Sequence, residues 1–280
     1  MIFLGGSAVA YASKRQHSVA LSSTEAEIMA ASLAAAELVH VRGVLREMGY
    51  DVSKPTTLFV DNEGAVALSK DIRSCQRSRH IERRYLRIRE WVADGEITVQ
   101  YVATKENVAD ALTKPLDPAT FRRHADKLMN MSVGPSPNDA GLHHSVFDIE
   151  AAYLKGVFEQ HERVYARPPL GWRHTIRGVP IVWLLKIPLY GEADAGRIWN
   201  RTLVRQLRAQ QFTQSQFDPC YFRKIVNGKR VDVLMYVDDG YVVANDKTLA
   251  DRELVTLHNK FTLKRKPSDY FLGNNITVAH

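Results

Sequence analysis

Three short apolar segments separated by tight-turn residues occupy positions 221–244 and leave few folds open to this part of the chain. Tyr221–Val226 and Val231–Val237 flank Asn227-Gly228, and Asp238-Asp239-Gly240 precedes Tyr241–Ala244. Asn-Gly and Asp-Gly are favoured in two-residue hairpins, because these residues adopt positive φ at little cost. The sequence therefore predicts an antiparallel meander with two adjacent carboxylates at one tip.

A further apolar segment also ends on a carboxylate, since Ser145-Val146-Phe147 leads into Asp148. Carboxylates at the ends of neighbouring strands repel one another unless a cation lies between them. Two divalent ions about 4 Å apart, held by such carboxylates, would clamp the attacking and leaving oxygens of an in-line phosphoryl transfer. The alternative for Asp238-Asp239 is an ordinary surface turn, because Asp-Gly is common in turns. Helices are predicted from Glu150 to about Phe158 and from about Asp194 to Gln211.

The first half of the chain predicts a mixture of helices and strands. Ser22-Ser23-Thr24-Glu25 is a capping box, and the Ala-rich segment after it predicts a helix that runs to Met48 and ends at Gly49. Short strands are expected at residues 1–4, 7–13, 57–60 and 97–102, with a helix over about 80–93. Asn107 resembles the N-cap of a last helix that carries Asp110.

Acidic residues of this half also have ordinary structural explanations. Glu25 can cap a helix, Glu27 can be a solvated surface residue, and Asp110 can favour the positive end of a helix dipole. Asp61 directly follows the strand predicted at 57–60.

A segment rich in Pro, Gly and Ser at 131–141 predicts the division of the chain, because it cannot continue a helix or a central strand. We expect a first domain over residues 1–130, a linker over 131–144 and a second domain over 145–280. The 38 Lys and Arg against 31 Asp and Glu give a net charge of +7, which favours a polyanionic partner.

Secreted and membrane-spanning classes are not expected. Met1–Leu4 lacks a basic flank and meets Gly5-Gly6 at once, which does not fit a secretory signal. No apolar segment is expected to approach the ~18–20 residues needed to cross a bilayer. No membrane partner is therefore expected. Only Cys75 and Cys220 are present, which suggests a reducing, intracellular compartment and no zinc site.

Several motifs of the second half, in order and spacing, resemble the reverse transcriptase of copia-type LTR retrotransposons. The resemblance implies a palm domain, a ferredoxin-like antiparallel sheet with helices, in which Asp148, Asp238 and Asp239 bind two Mg²⁺ ions. It implies nucleotide contacts for Tyr236 and for Tyr153, which would screen the 2′-hydroxyl of the incoming nucleotide; an apolar core residue is the alternative for Tyr153. The motifs are Asp148–Leu154, Glu162–Tyr165, Pro168–Trp172, Leu189–Gly191, Arg197–Trp199, Asp218–Cys220, Tyr236–Asp239 and Tyr270–Gly273.

The second half also departs from that family. The family pattern has Leu-Lys-Gln-Ala-Pro where this chain has Glu192-Ala193-Asp194-Ala195-Gly196. Two acids in a segment expected to touch template and nucleotide should weaken binding of phosphates. The comparison further implies an incomplete palm without fingers or thumb.

Motifs of the first half resemble the RNase H domain of the same elements. The resemblance implies a mixed sheet with helices and a carboxylate site in which Glu27, Asp61 and Asp110 bind two Mg²⁺ ions and act on RNA–DNA hybrids. A fourth family carboxylate would lie on a first strand before Met1, so a truncated, weak or inactive RNase H is expected. The motifs are Lys14–Ala30, Val60–Ala65, Ser78–Glu82 and Val108–Leu116.

Eight basic residues lie between Lys70 and Arg89. A solvated helix face is the usual explanation for such a run, whereas beside a hybrid-cutting site it would track phosphates. His80 matches a position of the family, where it would serve either as a packing residue or as a catalytic residue. The expected nucleic-acid contacts are Arg73, Arg77, Arg79, Arg83, Arg84 and Arg87.

Taken together, the resemblances indicate a Pol polyprotein segment with α/β and α+β domains in reversed order, RNase H before reverse transcriptase. The expected function is RNA-directed DNA polymerase with RNase H, acting on RNA template, DNA primer, RNA–DNA hybrid and deoxynucleotide triphosphates. The alternative is a catalytically inactive nucleic-acid-binding remnant. The sequence does not indicate an oligomeric state.

Overall fold

The computed structural model describes residues 1–4, 7–14, 20, 22–70, 87–128, 141–172, 174–267, 270–272 and 274–275. The chain divides into two compact units, Met1–Ser136 and Pro137–His280. Most of the predicted linker lies outside the described residues, and the first strand of the second unit begins at His143. Both units mix helices with strands.

Within its described residues, the first unit combines an antiparallel hairpin, a parallel strand pair and four helices. Its strands are β1 (Ile2–Leu4), β2 (Ser7–Ala10), β3 (Thr56–Val60) and β4 (Ile97–Tyr101), of which β1 and β2 pair antiparallel and β3 and β4 pair parallel. Its helices are α1 (Ser23–Glu47), α2 (Glu63–Lys70), α3 (Ile88–Ala93) and α4 (Pro118–Leu128), with 3₁₀ turns at Thr104–Glu106 and Val108–Leu112.

Helix α1 begins where the capping box predicts. Ser22 Oγ accepts a hydrogen bond from the Glu25 amide at 3.1 Å, which satisfies one of the free donors at the helix start. The helix buries a stripe that includes Ile28, Ala35 and Leu38 in one apolar cluster with residues of β3, β4 and α3. This packing forms the core of the first unit.

Helix α1 corrects one expectation from the sequence. Within the described residues it is long and apolar enough to cross a membrane by length and composition. A core helix of a globular unit meets the same criterion, and α1 buries its apolar stripe in a protein core. Its apolar stripe packs against β3 and α3.

The second unit is built on a six-stranded sheet. Its helices are α5 (Ala195–Ala209) and α6 (Lys247–Phe261), with a 3₁₀ turn at Ala152–Lys155. Its strands are β5 (His143–Ile149), β6 (Tyr165–Ala166), β7 (Thr175–Ile176), β8 (Val179–Pro180), β9 (Trp183–Leu184), β10 (Thr213–Gln214), β11 (Tyr221–Val226), β12 (Lys229–Tyr236), β13 (Asp239–Ala244), β14 (Leu263–Lys266), β15 (Tyr270–Phe271) and β16 (Asn274–Asn275).

Strand order in the main sheet is β10-β11-β12-β13-β5-β14, and every neighbouring pair is antiparallel. The predicted meander of β11, β12 and β13 is confirmed. Side chains alternate between the two faces of a strand, so Phe147 enters the core under α5 and α6 while Asp148 lies on the opposite face. Because of this register, the acidic side chains lie on the face of the sheet opposite to the helices.

The helix predicted from Glu150 to Phe158 is wrong. Residue Ala151 has a φ of 52°, and only the 3₁₀ turn at Ala152–Lys155 follows. The amide of Ile149 donates to Asp238 O at 2.9 Å, and that of Glu150 donates to Thr262 O at 3.2 Å. Tertiary partners fix the backbone here, and a left-handed residue cannot continue an α-helix.

Candidate active site

Asp148 and Asp239 face each other across two adjacent strands. Their Cα atoms are register partners on β5 and β13, so their carboxylates lie on the same face of the sheet. Lys266 Nζ lies 2.9 Å from Asp148 Oδ1 and 2.6 Å from Asp239 Oδ1. The structure thus brings together two of the three predicted aspartates and places a cation between them.

Asp238 lies in the turn between β12 and β13, and two hydrogen bonds fix this tip. Its carbonyl accepts from the Ile149 amide at 2.9 Å, which ties the turn to β5. The indole of buried Trp199 donates to Val237 O at 2.6 Å. Val237 has a φ of 58°, an unfavourable value for a β-branched residue, so these contacts hold a strained turn in place.

A divalent cation fits the donor set of this site. Carboxylate oxygens are the ligands that Mg²⁺ prefers, and the Lys266 ammonium shows that the pair already attracts a cation. Among the described residues, no three His, Cys, Asp or Glu side chains converge closely enough to complete a metal site. Asp148 and Asp239 therefore offer neighbouring carboxylate oxygens, with Asp238 adjacent at the turn, and their role as metal ligands stays a prediction.

The two predicted nucleotide-binding tyrosines have different surroundings. Tyr236 is the register partner of Asp239 and is 59% exposed on the sheet face that carries the carboxylates. Tyr153 is half-buried, packs against the core of the second unit and has its ring centroid 5.0 Å from that of Tyr190. Tyr153 thus has a packing role in this structure, and its nucleotide role stays a prediction.

In the segment that differs from the family pattern, residues 192–196, the negative charge of one acid is partly neutralised by a neighbouring arginine. Asp194 Oδ1 accepts a hydrogen bond from Arg197 Nε at 3.1 Å, at the start of α5. The ion pair neutralises part of the negative charge that the sequence places here. Glu192 Oε2 accepts from the Leu189 amide at 3.4 Å.

Glu162 anchors the segment before β6 to α5, the helix that carries Trp199. It accepts hydrogen bonds from the guanidinium groups of Arg201 and Arg197. The Arg201 hydrogen bond, with a further one from the Glu159 amide, lowers the pKa of Glu162 to about 2. The charged form of Glu162 is therefore the one that stabilises the fold.

Acid should weaken this anchor. Because the folded-state pKa lies below the ordinary value of 4.5, the stabilisation is complete above that value and is lost as the pH falls towards 2. In Glu162→Gln we expect the free energy of unfolding to lose this part of its pH dependence. Urea unfolding at several pH values measures it, with exposed Glu150→Gln as the control. Parallel curves for wild type and Glu162→Gln would contradict the expectation.

Glu27, Asp61 and Asp110 form a second acidic group in the first unit. Burial raises the pKa of Glu27, and the charges of Asp61 and Asp110 raise it further. Lys114 Nζ lies 2.6 Å from Asp110 Oδ2, and this hydrogen bond raises the pKa of Lys114, with added contributions from Asp61 and Glu27. Of the three predicted carboxylates, Asp110 thus contacts the Lys114 ammonium, and Asp61 and Glu27 act on it through their charge alone.

Local structure explains how these acids are presented. Asp61 follows β3, and Glu27 projects from α1, which packs on that strand. Asn107 Oδ1 accepts from the Ala109 amide at 3.2 Å, which confirms the predicted cap, although the element it opens is the 3₁₀ turn that carries Asp110.

The predicted phosphate contacts lie mostly outside the described residues, namely Arg73, Arg77, Arg79, Arg83 and Arg84, as does His80. Arg87 is described. Its guanidinium lies 5.2 Å from the centroid of the Trp91 ring, and its Nε is 3.9 Å from Glu90 Oε2. Its role in binding nucleic acid stays a prediction.

Sequence reasoning missed two residues of the acidic site of the second unit. Trp199 belongs to a recognised motif, but nothing in the sequence indicates that its indole holds the turn at Val237. Lys266 is one of several basic residues near the chain end, and only the register of β14 brings it to the aspartates.

A family model described as "Reverse transcriptase (RNA-dependent DNA polymerase)" matches residues 131–279 of this chain. The chain is 35% identical over 136 residues to a retrovirus-related Pol polyprotein from transposon RE2 of Arabidopsis thaliana, which covers 49% of this chain and 9% of that protein. It is 40% identical over 109 residues to the Pol polyprotein from transposon TNT 1-94 of Nicotiana tabacum, covering 39% of this chain and 8% of that protein.

A more distant similarity extends to yeast. The chain is 29% identical over 130 residues to the transposon Ty1-NL2 Gag-Pol polyprotein of Saccharomyces cerevisiae, covering 45% of this chain and 7% of that protein. The chain thus spans less than a tenth of the length of each relative.

Proposed function

Because this chain belongs to the reverse transcriptase (RNA-dependent DNA polymerase) family, with copia-type retrotransposon Pol polyproteins among its relatives, we propose that its second unit carries an RNA-directed DNA polymerase site. Asp148, Asp238 and Asp239 are the proposed metal ligands. The observation that carries this proposal is the placement of Asp148 opposite Asp239 with one ammonium between them. Two like charges held that close indicate a site built for cations.

Divalent ions bound there would stabilise charge on the attacking and leaving oxygens of an in-line phosphoryl transfer. Two features of the fold support these proposed ligands. Adjacent strands β5 and β13 fix the separation of Asp148 and Asp239, and Trp199 holds the turn that presents Asp238. Tyr236, exposed on the same face as Asp239, is the proposed contact for nucleotide or primer.

The proposed substrates follow from the family. We propose an RNA template, a DNA primer and deoxynucleotide triphosphates, with Tyr153 near the sugar of the incoming nucleotide. The net charge of +7 supports a polyanionic partner.

Primer extension on an RNA template tests the polymerase proposal. The full chain is expected to extend a DNA primer with deoxynucleotides in the presence of Mg²⁺, and extension is expected to stop when EDTA removes the metal. Binding of primed RNA that weakens with salt, without extension at any Mg²⁺ concentration, would instead identify a non-catalytic nucleic-acid-binding protein.

For the first unit we propose RNase H activity on RNA–DNA hybrids. The arrangement that supports it is Glu27 on α1, which packs on the strand that Asp61 follows, with the charges of Asp61 and Asp110 both raising the pKa of Glu27. Cleavage of the labelled RNA strand of a hybrid, with and without Mg²⁺, tests it on the same preparation. Cleavage that Glu27→Gln leaves unchanged would contradict the assignment.

A further inference from the structure

Lys266 occupies the position between the two carboxylates that the polymerase proposal assigns to metal. Its ammonium contacts Asp148 Oδ1 at 2.9 Å and Asp239 Oδ1 at 2.6 Å. The Lys266 side chain is 39% exposed, and the two aspartate side chains are 26% and 28% exposed. Solvent ions can therefore reach the cluster.

The sheet register explains how this lysine reaches the aspartates. Strand β14 pairs antiparallel with β5, and Lys264 lies directly opposite Asp148. Lys266 lies opposite Val146, two positions along the same face, so its long side chain crosses diagonally to both carboxylates. Strand β14 lies at the edge of the sheet, and the Glu150 amide donates to Thr262 O just before it.

We propose that Lys266 competes with the divalent cation for Asp148 and Asp239 and so sets the metal affinity of this site. The inference rests on the proposed polymerase site. A divalent ion held by the two aspartates would use the same carboxylate oxygens as the ammonium and would repel it. The ammonium has to withdraw, and its long, partly exposed side chain can do so.

Two effects of opposite sign follow. In the metal-free protein, Lys266 neutralises repulsion between the ends of β5 and β13, so its removal should lower stability. In the presence of metal the same removal eliminates the competitor, so it should raise metal affinity. A lysine with a merely structural role would produce only the first effect.

Mn²⁺ binding to the full chain, followed by the electron paramagnetic resonance of the free ion, tests the proposal. Lys266→Met is expected to bind Mn²⁺ about tenfold more tightly than wild type, because the variant lacks the positive charge that contacts both carboxylates and competes with the ion. Lys266→Arg keeps the charge and should stay near the wild-type affinity. Lys264→Met removes an equal charge from the same strand and face, and its change should be clearly smaller.

Thermal melting supplies a second readout. In EDTA, Lys266→Met should melt below wild type, and saturating Mn²⁺ should remove or reverse this difference, since the ion stabilises the state that binds it more tightly. Lys266→Gln provides the same comparison if the Met variant does not fold.

The outcomes separate the two proposals. Wild type and Lys266→Met binding Mn²⁺ with equal affinity would overturn the competition and leave the polymerase site intact. Equal tightening in Lys264→Met would also overturn it, because general charge rather than contact would then set the affinity. Failure of every variant to bind Mn²⁺ would overturn both proposals.

Discussion

Replacement of Asp148 by Asn is expected to reduce Mg²⁺-dependent primer extension by about a thousandfold or more, because loss of a metal ligand removes several kcal/mol of transition-state stabilisation. Asn has nearly the same shape, so β5 and its pairing with β13 should persist. The variant relieves repulsion with Asp239 but also loses the ion pair with Lys266, and because these groups are partly exposed the net change in stability should be small. The measurement is the rate of single-nucleotide addition to a primed RNA template.

Asp251→Asn is the matched control for this experiment. It makes the same chemical change on α6, where Asp251 pairs with Arg265 at 2.9 Å on a partly exposed surface. Exposed pairs contribute little, so this variant should keep its rate within about twofold. A wild-type rate in Asp148→Asn would remove Asp148 from the proposed ligand set.

Replacement of Gly240 by Ala is expected to destabilise the second unit by about 3 kcal/mol, the upper part of the range for overpacked cores. A Cβ at this position would overlap Phe147 Cζ and would lie 2.5 Å from both Cε atoms. Phe147 is fully buried beneath α5 and α6, and the cavity that it helps to line is only about 10 Å³, so its ring has little space into which to move. Urea unfolding of the full chain, followed by tryptophan fluorescence, measures the loss.

Two variants test the cause of that loss. Gly196→Ala should be neutral or slightly stabilising, because its Cβ would meet only Tyr153 Oη at 3.7 Å and Ala favours a helix. Phe147→Leu combined with Gly240→Ala should cost less than the sum of the two single changes, since the smaller side chain makes room. Strict additivity would show that the Phe147 contact is not the cause.

The close contact between Gly240 and Phe147 also affects the acidic site formed by Asp148 and Asp239. Gly240 follows Asp239 on β13, and Phe147 precedes Asp148 on β5. Gly240 and Phe147 are register partners. The absence of a side chain at Gly240 lets the Phe147 ring lie beneath the strand pair and lets β5 and β13 approach. The separation of the carboxylates on the other face therefore depends on this buried contact.

Elements with short-range signals could be predicted from the sequence. The Asn227-Gly228 turn and the capping box at Ser22 specify local backbone geometry, and both the meander and the start of α1 are confirmed. The helix expected at 150–158 failed because amides at 149 and 150 bond to residues distant in sequence. Local propensity could not reveal that competition.

Asp61, Asp148, Asp238 and Asp239 could be noticed from local pattern, because each lies at the end of a predicted strand, whereas Glu27 and Asp110 were selected through the family resemblance. Their convergence could not be deduced from local pattern. It depends on β5 lying between β13 and β14, an order that no turn signal specifies. The pKa of Glu27 likewise depends on where Asp61 and Asp110 lie in space.

By itself the sequence determined which residues can turn, cap and carry charge, because these properties belong to a few neighbouring residues. Only the tertiary structure decided that Asp148 stands opposite Asp239, that Trp199 holds the turn at Val237 and that the Lys266 ammonium lies between the carboxylates. These contacts join positions tens of residues apart, and strand register and core packing set them. A one-residue shift of strand register would turn the side chains of Asp148, Asp239 or Lys266 to the opposite face of the sheet.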